Sequence, residues 1–335
     1  IELRLGEAAE SEVDRRRAAA VPTRPGHGLA ADGAPAVVAA PHLRAGATDL
    51  PALVAAVAAA WPGPGTAPVR LLPERIALDR LPSATRGAAG IPLGVDEEQL
   101  ARVELDPAAE PHLLCFADAE SGKTALLRLV AHGIAGRYTP AQARIVLVDH
   151  RRTLLGAVPD THLIGYASTA DATAEAAREV AASLRRRLPG PGVTPRELRE
   201  RSWWSGPDVY VLVDDYDLVA PGGATPNPLL PLVEFLPQAK DVGLHLVVAR
   251  RCGGAGRALF DPVLGRLREL ASPGIVMNGS PDEGALVGPV KPAPAPPGRG
   301  VLVDRRHGAR RLQLAWLPQD GEEPTPDGSE ETRDG

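Results

Sequence analysis

The sequence predicts an α/β domain with a mainly parallel β-sheet flanked by helices. Three observations predict it. From Val69 onward short apolar runs alternate with amphipathic helical segments; one such run passes through a tight turn ending in Gly-Lys-Thr directly into a helix; another ends in two consecutive acids. Strands that are apolar throughout and separated by helices belong to sheets covered on both faces.

Taken in chain order, residues 1–5 alternate apolar and polar side chains and read as a strand. Ser11 with Asp14 opens a short arginine-rich helix that stops before Pro22. A Gly/Pro turn region covers 25–36, Asp49 caps an apolar helix that runs through Trp61, and 62–68 is a Pro/Gly linker. This first stretch, 1–64, is too short and interrupted for a core of its own and reads as the tail of a preceding domain plus a connector. Over 65–317 strands are expected at 112–116, 144–148, 163–166, 209–213, 244–249, 274–277 and 301–303. Helices are expected at 124–138, 171–187, 229–238 and 257–270. Residues 318–335 are polar and acidic with nothing to bury, and are expected to be disordered.

Composition narrows the function. The 335 residues carry 37 basic and 42 acidic side chains, a net charge of -5. The last 18 residues hold seven of the acids and a single Arg, so the body before them sums to about +1. A near-neutral body disfavours a duplex-DNA partner. The longest apolar run, 52–61, is about half of what a membrane-spanning helix needs. Cys115 and Cys252 have no CxxC spacing, and the eight histidines show no paired ligand spacing, so no protein metal site is expected. The chain starts at Ile1 without a signal-like segment, and the expectation is a fragment of a longer protein. Only Lys123, Lys240 and Lys291 are lysines; the other 34 basic residues are Arg. Arginine clusters therefore carry little information here, and a retained lysine carries more.

Lys123 is the informative one. Ala117-Asp118-Ala119-Glu120-Ser121-Gly122-Lys123-Thr124 follows an apolar run and precedes a helix, which is the P-loop pattern GxxxxGK[ST] with Ala117 in place of the first Gly. In such a loop backbone N–H groups and the helix N-terminus surround nucleotide phosphates, the lysine reaches the β/γ oxygens, and the threonine hydroxyl ligates Mg²⁺. The expected cofactors are ATP and Mg²⁺.

The partner motif is the strand 209–213 with Asp214 and Asp215 after it. Asp214 is placed to hold the Mg²⁺ shell. Asp215 occupies the position of the catalytic acid that polarises the attacking water, normally a Glu. It is one methylene, about 1.5 Å, shorter, and misplacements of that order cost about 10²-fold in rate. A strand lying between the two motifs in sequence, and an acid directly after Asp214, are traits of the RecA-like (ASCE) branch of P-loop NTPases. Arg250 and Arg251 follow the strand expected beside the nucleotide, and either touch phosphate or serve in surface or interface salt bridges. Cys115 reads as a small buried hydrophobe, and His112, His150 and His245 as packed or capping groups. Gly298 to Gly300 reads as the start of a hairpin, and Trp203 and Trp204 as either core packing or a binding surface.

Several strings resemble a known family. Glu120-Ser121-Gly122-Lys123-Thr124-Ala125-Leu126-Leu127-Arg128, Asp149-His150-Arg151-Arg152-Thr153-Leu154-Leu155-Gly156, Val213-Asp214-Asp215-Tyr216-Asp217-Leu218-Val219, Asp261-Pro262-Val263-Leu264, Arg268-Glu269-Leu270-Ala271-Ser272-Pro273-Gly274 and Pro296-Pro297-Gly298-Arg299-Gly300 are similar to the last ATPase domain of the EccC family. These are FtsK/SpoIIIE-like motors of actinobacterial type VII secretion. The opening Glu2-Leu3-Arg4-Leu5, with Ser11-Glu12-Val13-Asp14-Arg15, resembles the end of the ATPase domain before it.

The resemblance implies a cytoplasmic domain of a plasma-membrane-anchored protein with tandem RecA-like domains. It implies as partners the upstream ATPase domains, the membrane core of the secretion complex and small helical WXG-type substrates whose export signal docks on the last domain, and it allows a homo-oligomer, a hexamer, in the full-length protein. Ala117 and Asp215 depart from the motif and point to a site that binds ATP and hydrolyses it slowly. Two other readings stay open: an FtsK-type DNA translocase fragment, and a nucleotide-free protein interaction domain.

Overall fold

A computed structural model describes residues 2–3, 8, 11–39, 50–63, 70–84, 90–222 and 225–318. The expected cap Asp49 and, from residue 319 on, the acidic tail lie outside them. The chain divides into two units, 1–69 and 70–335.

In the first unit β1 (Glu2–Leu3), β2 (His27–Leu29) and β3 (Pro35–Val37) form an antiparallel sheet in that order. The helix α1 (Arg15–Ala20) starts where expected, because the Asp14 carboxylate accepts the N–H groups of Arg16 and Arg17 at 2.9 and 3.1 Å. Among the described residues Ala18, Val21 and Leu29 make its small core. The apolar helix α2 (Leu50–Ala60) follows.

The second unit begins with β4 (Ile76–Ala77), β5 (Ile91–Asp96), β6 (Arg102–Leu105) and β7 (His112–Phe116), then α3 (Lys123–Arg137), β8 (Ala143–Val148), β9 (Leu163–Ala167), α4 (Ala170–Arg185) and α5 (Pro195–Glu200). It continues through β10 (Asp208–Val213), α6 (Tyr216–Val219), a 3₁₀ helix at Leu230–Gln238, α7 (Ala239–Val242), β11 (Leu244–Arg250), α8 (Ala255–Ala258) and α9 (Pro262–Glu269). It closes with β12 (Gly274–Val276), β13 (Arg299–Asp304) and β14 (Gly308–Trp316). One sheet runs β6-β5-β14-β13-β12-β7-β11-β10-β8-β9, with β4 paired to β14. From β12 to β9 every pair is parallel, whereas β13, β14, β5 and β6 add an antiparallel half.

Every side chain of β7 and β11 is buried, as strands at the centre of a two-faced sheet require. Alternate residues serve opposite faces. Leu114, Phe116, Val146, Val148, Val211 and Val213 pack with α4, α9 and the 3₁₀ helix. Leu113, Cys115, Ile145, Leu147 and Leu212 pack with Leu126, Leu129, Val130 and Ile134 of α3.

Two expected helices change form. The helix expected over 257–270 breaks at Pro262, where the Asp261 carboxylate caps α9 by accepting from Val263 and Leu264 N–H. The segment 230–238 holds Pro231 and Pro237 and winds as 3₁₀. Trp203 and Trp204 donate their indole N–H groups to the carbonyls of Arg187 and Asp241, both at 2.7 Å, and Arg187 lies over the Trp204 ring, so they staple the loop before β10.

His112, at the start of β7, accepts the Leu246 N–H on Nδ1 at 3.1 Å, and its Nε2 faces the Leu236 carbonyl at 3.3 Å. Burial pushes its pKa down from 6.5 to about 4, against the raising effect of the Leu236 carbonyl. Unfolded, the ring keeps its ordinary pKa, so between pH 6.5 and 4 the unfolded state binds the extra proton and the stability supplied by neutral His112 is lost as pH falls. Urea unfolding at pH 7 and pH 4 should therefore show about 3 kcal/mol of pH-dependent loss that is absent in His112→Asn.

Candidate nucleotide site

Because β7, β11, β10 and β8 are parallel neighbours, their carboxyl ends share one edge of the sheet, where open α/β sheets hold ligands. Three segments leave that edge together: the loop 117–122 after β7, Asp214 and Asp215 after β10, and the turn 149–153 after β8.

Ala117 prolongs β7. Its N–H donates to the Arg250 carbonyl at 3.0 Å, its side chain is fully buried, and its φ is not positive, so no glycine is needed there. Beyond it the chain turns through Glu120 at φ 59° and Gly122 at φ 111°. Gly122 is the N-cap of α3 and offers no capping side chain. Among the described residues no protein acceptor takes the N–H groups of Ala119 to Thr124. A run of unmet donors at the positive end of a 15-residue helix makes a concavity for an anion.

The loop rests on a shelf made by Asn278, after β12, and Gly298, before β13. Gly298 N–H donates to the Ser121 carbonyl at 2.9 Å, the Asn278 amide donates to Ser121 Oγ at 3.3 Å, and Asp118 N–H donates to the Asn278 carbonyl at 2.9 Å. Gly298 sits at φ 76°, and a Cβ there would meet Gln313 Nε2 at 2.6 Å. Gly298 thus starts a hairpin, as expected, and also buttresses the loop.

Lys123 Nζ donates to the Asp118 carbonyl at 3.0 Å and lies 3.8 Å from Asp215 Oδ1. Thr124 Oγ1 donates to Asp214 Oδ2 at 2.6 Å, across 90 residues of sequence. Thr153 Oγ1 reaches the same oxygen at 3.2 Å and Asp149 Oδ1 at 3.3 Å, while Asp214 Oδ1 accepts the Asp215 N–H at 2.9 Å. Burial pushes the Asp214 carboxyl up, the Thr124 hydroxyl opposes this, and the neighbouring Asp215 charge adds to it. Asp215 adopts φ 43°, in the left-handed region, and its other oxygen takes Arg151 Nε at 2.7 Å.

The remaining sequence alternatives have clear places. The Arg250 guanidinium folds onto the carbonyls of Arg251 and Gly253, and Arg251 pairs with Asp217 at 3.0 Å, the salt-bridging alternative. Cys115 is fully buried, and burial pushes its thiol up to about 12. His150 Nε2 lies 3.0 Å from Thr173 Oγ1, and His245 stacks on Tyr210. Reasoning from the sequence missed Arg151, Thr153, Asp149, Asn278 and Gly298 as parts of the site. Only the turn 149–153 had a usable signal, its position directly after a strand neighbouring Asp214's.

The donor set fits Mg·ATP: unmet N–H groups, an ammonium bound to one backbone carbonyl, and a hydroxyl beside a buried carboxylate. Loop 117–124 would hold the phosphates, and Thr124 with Asp214 the metal. The nucleotide would bring the phosphoanhydride bond; the protein brings charge and orientation.

No family model matches the chain. It is 48% identical over 324 residues to the ESX secretion system protein EccC of Thermomonospora curvata, covering 94% of this chain and 24% of that protein. Against the ESX-4 secretion system protein EccC4 of Mycobacterium tuberculosis it is 45% identical over 321 residues, covering 95% and 25%. The chain thus spans about a quarter of the length of these relatives. A solved structure of T. curvata EccC, comprising ATPases 2 and 3 in complex with a signal sequence peptide, is 47% identical with a TM-score of 0.75 and covers 95% of this chain and 58% of that one. With such identity along nearly its whole length, and with the P-loop ATPase fold of these relatives, the chain belongs to the EccC family of ESX secretion system proteins.

Proposed function

We propose that this chain binds Mg·ATP at residues 117–124, hydrolyses it slowly, and acts as a regulatory and substrate-docking module of a type VII secretion motor. One observation carries the nucleotide part: the unmet N–H groups of 119–124 converge with Lys123, Thr124 and Asp214 at one sheet edge. Slow turnover rests on Asp215, the acid in the position of the water-polarising residue, whose two oxygens face Arg151 and Lys123. Both carboxylate oxygens are thus engaged by cations, not presented to an attacking water.

The docking part rests on the relative solved with a signal sequence peptide. The partner in this reading is the export signal of a small helical WXG-type substrate. Residues 1–64 serve as the tail of a preceding ATPase domain with its linker, 65–317 as the ATPase domain and 318–335 as an acidic extension. The whole protein would be anchored in the plasma membrane with this part in the cytoplasm, next to the upstream ATPase domains, and would assemble as a hexamer.

Calorimetric titration of the purified chain with ATP and Mg²⁺ should show saturable binding. Lys123→Ala removes a charge-assisted contact and should weaken it about 10- to 100-fold; unchanged affinity would sink the assignment of the loop. Phosphate release from the wild-type chain should stay below roughly 1 per second, the lower end of ordinary enzyme turnover. A rate above that would remove the slow-hydrolysis reading and leave the binding site standing.

A further inference from the structure

The turn 149–153 after β8 touches both acids that follow β10. Asp149 is completely buried and anchors it, accepting the Leu154 N–H at 2.7 Å and the Tyr166 hydroxyl at 2.9 Å. Arg152 at φ 61° reverses the chain, and the Thr153 carbonyl accepts from Arg128 of α3. The turn thus has a fixed backbone, from which Thr153 reaches Asp214 and Arg151 reaches Asp215.

Apart from Asp149, which is held inside the turn by Leu154 and Tyr166, the site sets two carboxylates, Asp214 and Asp215, against two cations, Lys123 and Arg151. Asp215 is shared, with Lys123 on one oxygen at 3.8 Å and Arg151 on the other at 2.7 Å. Without Arg151, Asp215 would have Lys123 as its remaining ion-pair partner. It would then compete with phosphate for the lysine and place an uncompensated negative charge beside an incoming polyanion. With Arg151 present, Lys123 can leave Asp215 without stranding it.

We propose that Arg151 is a positioning residue that neutralises Asp215 and frees Lys123 for nucleotide phosphate. It acts through Asp215 and not by touching the nucleotide. The proposal rests on the Mg·ATP reading of the loop and names how that site tolerates a second acid.

The test is a double-mutant cycle on the full 335-residue chain, with ATP and ADP affinities measured by calorimetry and folding checked by thermal melts. Arg151 is more than half exposed, which screens its effect, so Arg151→Ala should weaken ATP binding by about tenfold. ADP, with one fewer phosphate, should lose less. Arg151→Lys should keep most of the affinity. Asp215→Asn in the Arg151→Ala background should restore ATP affinity to within about twofold of wild type, because the charge Arg151 answers has gone. If Arg151→Ala leaves ATP affinity unchanged, Arg151 is a bystander and the proposal is overturned. If the affinity falls and Asp215→Asn does not restore it, Arg151 contacts the nucleotide itself and the proposal is equally overturned. A wild-type chain that binds no ATP overturns the nucleotide reading first and this inference with it, whereas binding by wild type combined with either failed arm strikes this inference alone.

Discussion

The site depends on one pairing constraint: β11 lies between β7 and β10, parallel to both. That register sets Val213, the last residue of β10, level with Leu114, two residues before the end of β7, so both strands deliver their ends to one edge two strands apart. It lets a hydroxyl on the first turn of α3 donate to a carboxylate 90 residues later at 2.6 Å. Shifting a buried strand by one residue would turn its side chains to the opposite face, so the two-sided core fixes the register as firmly as the hydrogen bonds do. The contact between Thr124 and Asp214 is therefore a product of core packing, set long before any ligand arrives.

Around that contact the polar groups are only partly satisfied. Among the described residues the backbone donors of 119–124 meet no protein acceptor, while Asp214, hydrogen-bonded by Thr124, Thr153 and the Asp215 N–H, is buried with its carboxyl pushed up. The surroundings are stiff by contrast. Asn278 after β12 and Gly298 before β13 hold the loop, and Asp149 with Tyr166 holds the turn, from opposite sides of β7 in the sheet order. A rigid frame around unmet donors is the arrangement that favours a tightly held anion over a mobile one.

Much of this was legible in the residues and some was not. The parallel strands could be read because each is a nearly unbroken apolar run, and the loop could be read because Gly122-Lys123-Thr124 sits between a run and a helix. β5 carries Pro92 and Gly94, β6 alternates charged and apolar residues, and β14 begins Gly-Ala-Arg-Arg, so apart from β13, expected at 301–303, the antiparallel half lacks the unbroken apolar runs that mark strands. Gly94 is required there, since a Cβ would collide with the Gln313 carbonyl at 1.9 Å. Arg151 was hidden for a different reason. Among 34 arginines no single one stands out, and only the fold shows which one faces a second carboxylate.

The two departures from the P-loop ATPase pattern are physically unequal. Ala117 replaces a glycine at a position where the backbone is still part of β7, buried and with φ in the ordinary range, so its methyl group costs nothing locally. Asp215 is different. Its backbone is left-handed, an arrangement that disfavours most L residues and that Asp tolerates better than a longer side chain would. Its short arm leaves the carboxylate within reach of both Lys123 and Arg151. A glutamate would carry its carboxylate past these partners, whereas the aspartate keeps its charge inside a network that the phosphate loop must share. In the reading proposed above, the departure from the P-loop ATPase pattern that bears on turnover lies at residue 215 and the turn that holds it, while the loop keeps what a nucleotide would need.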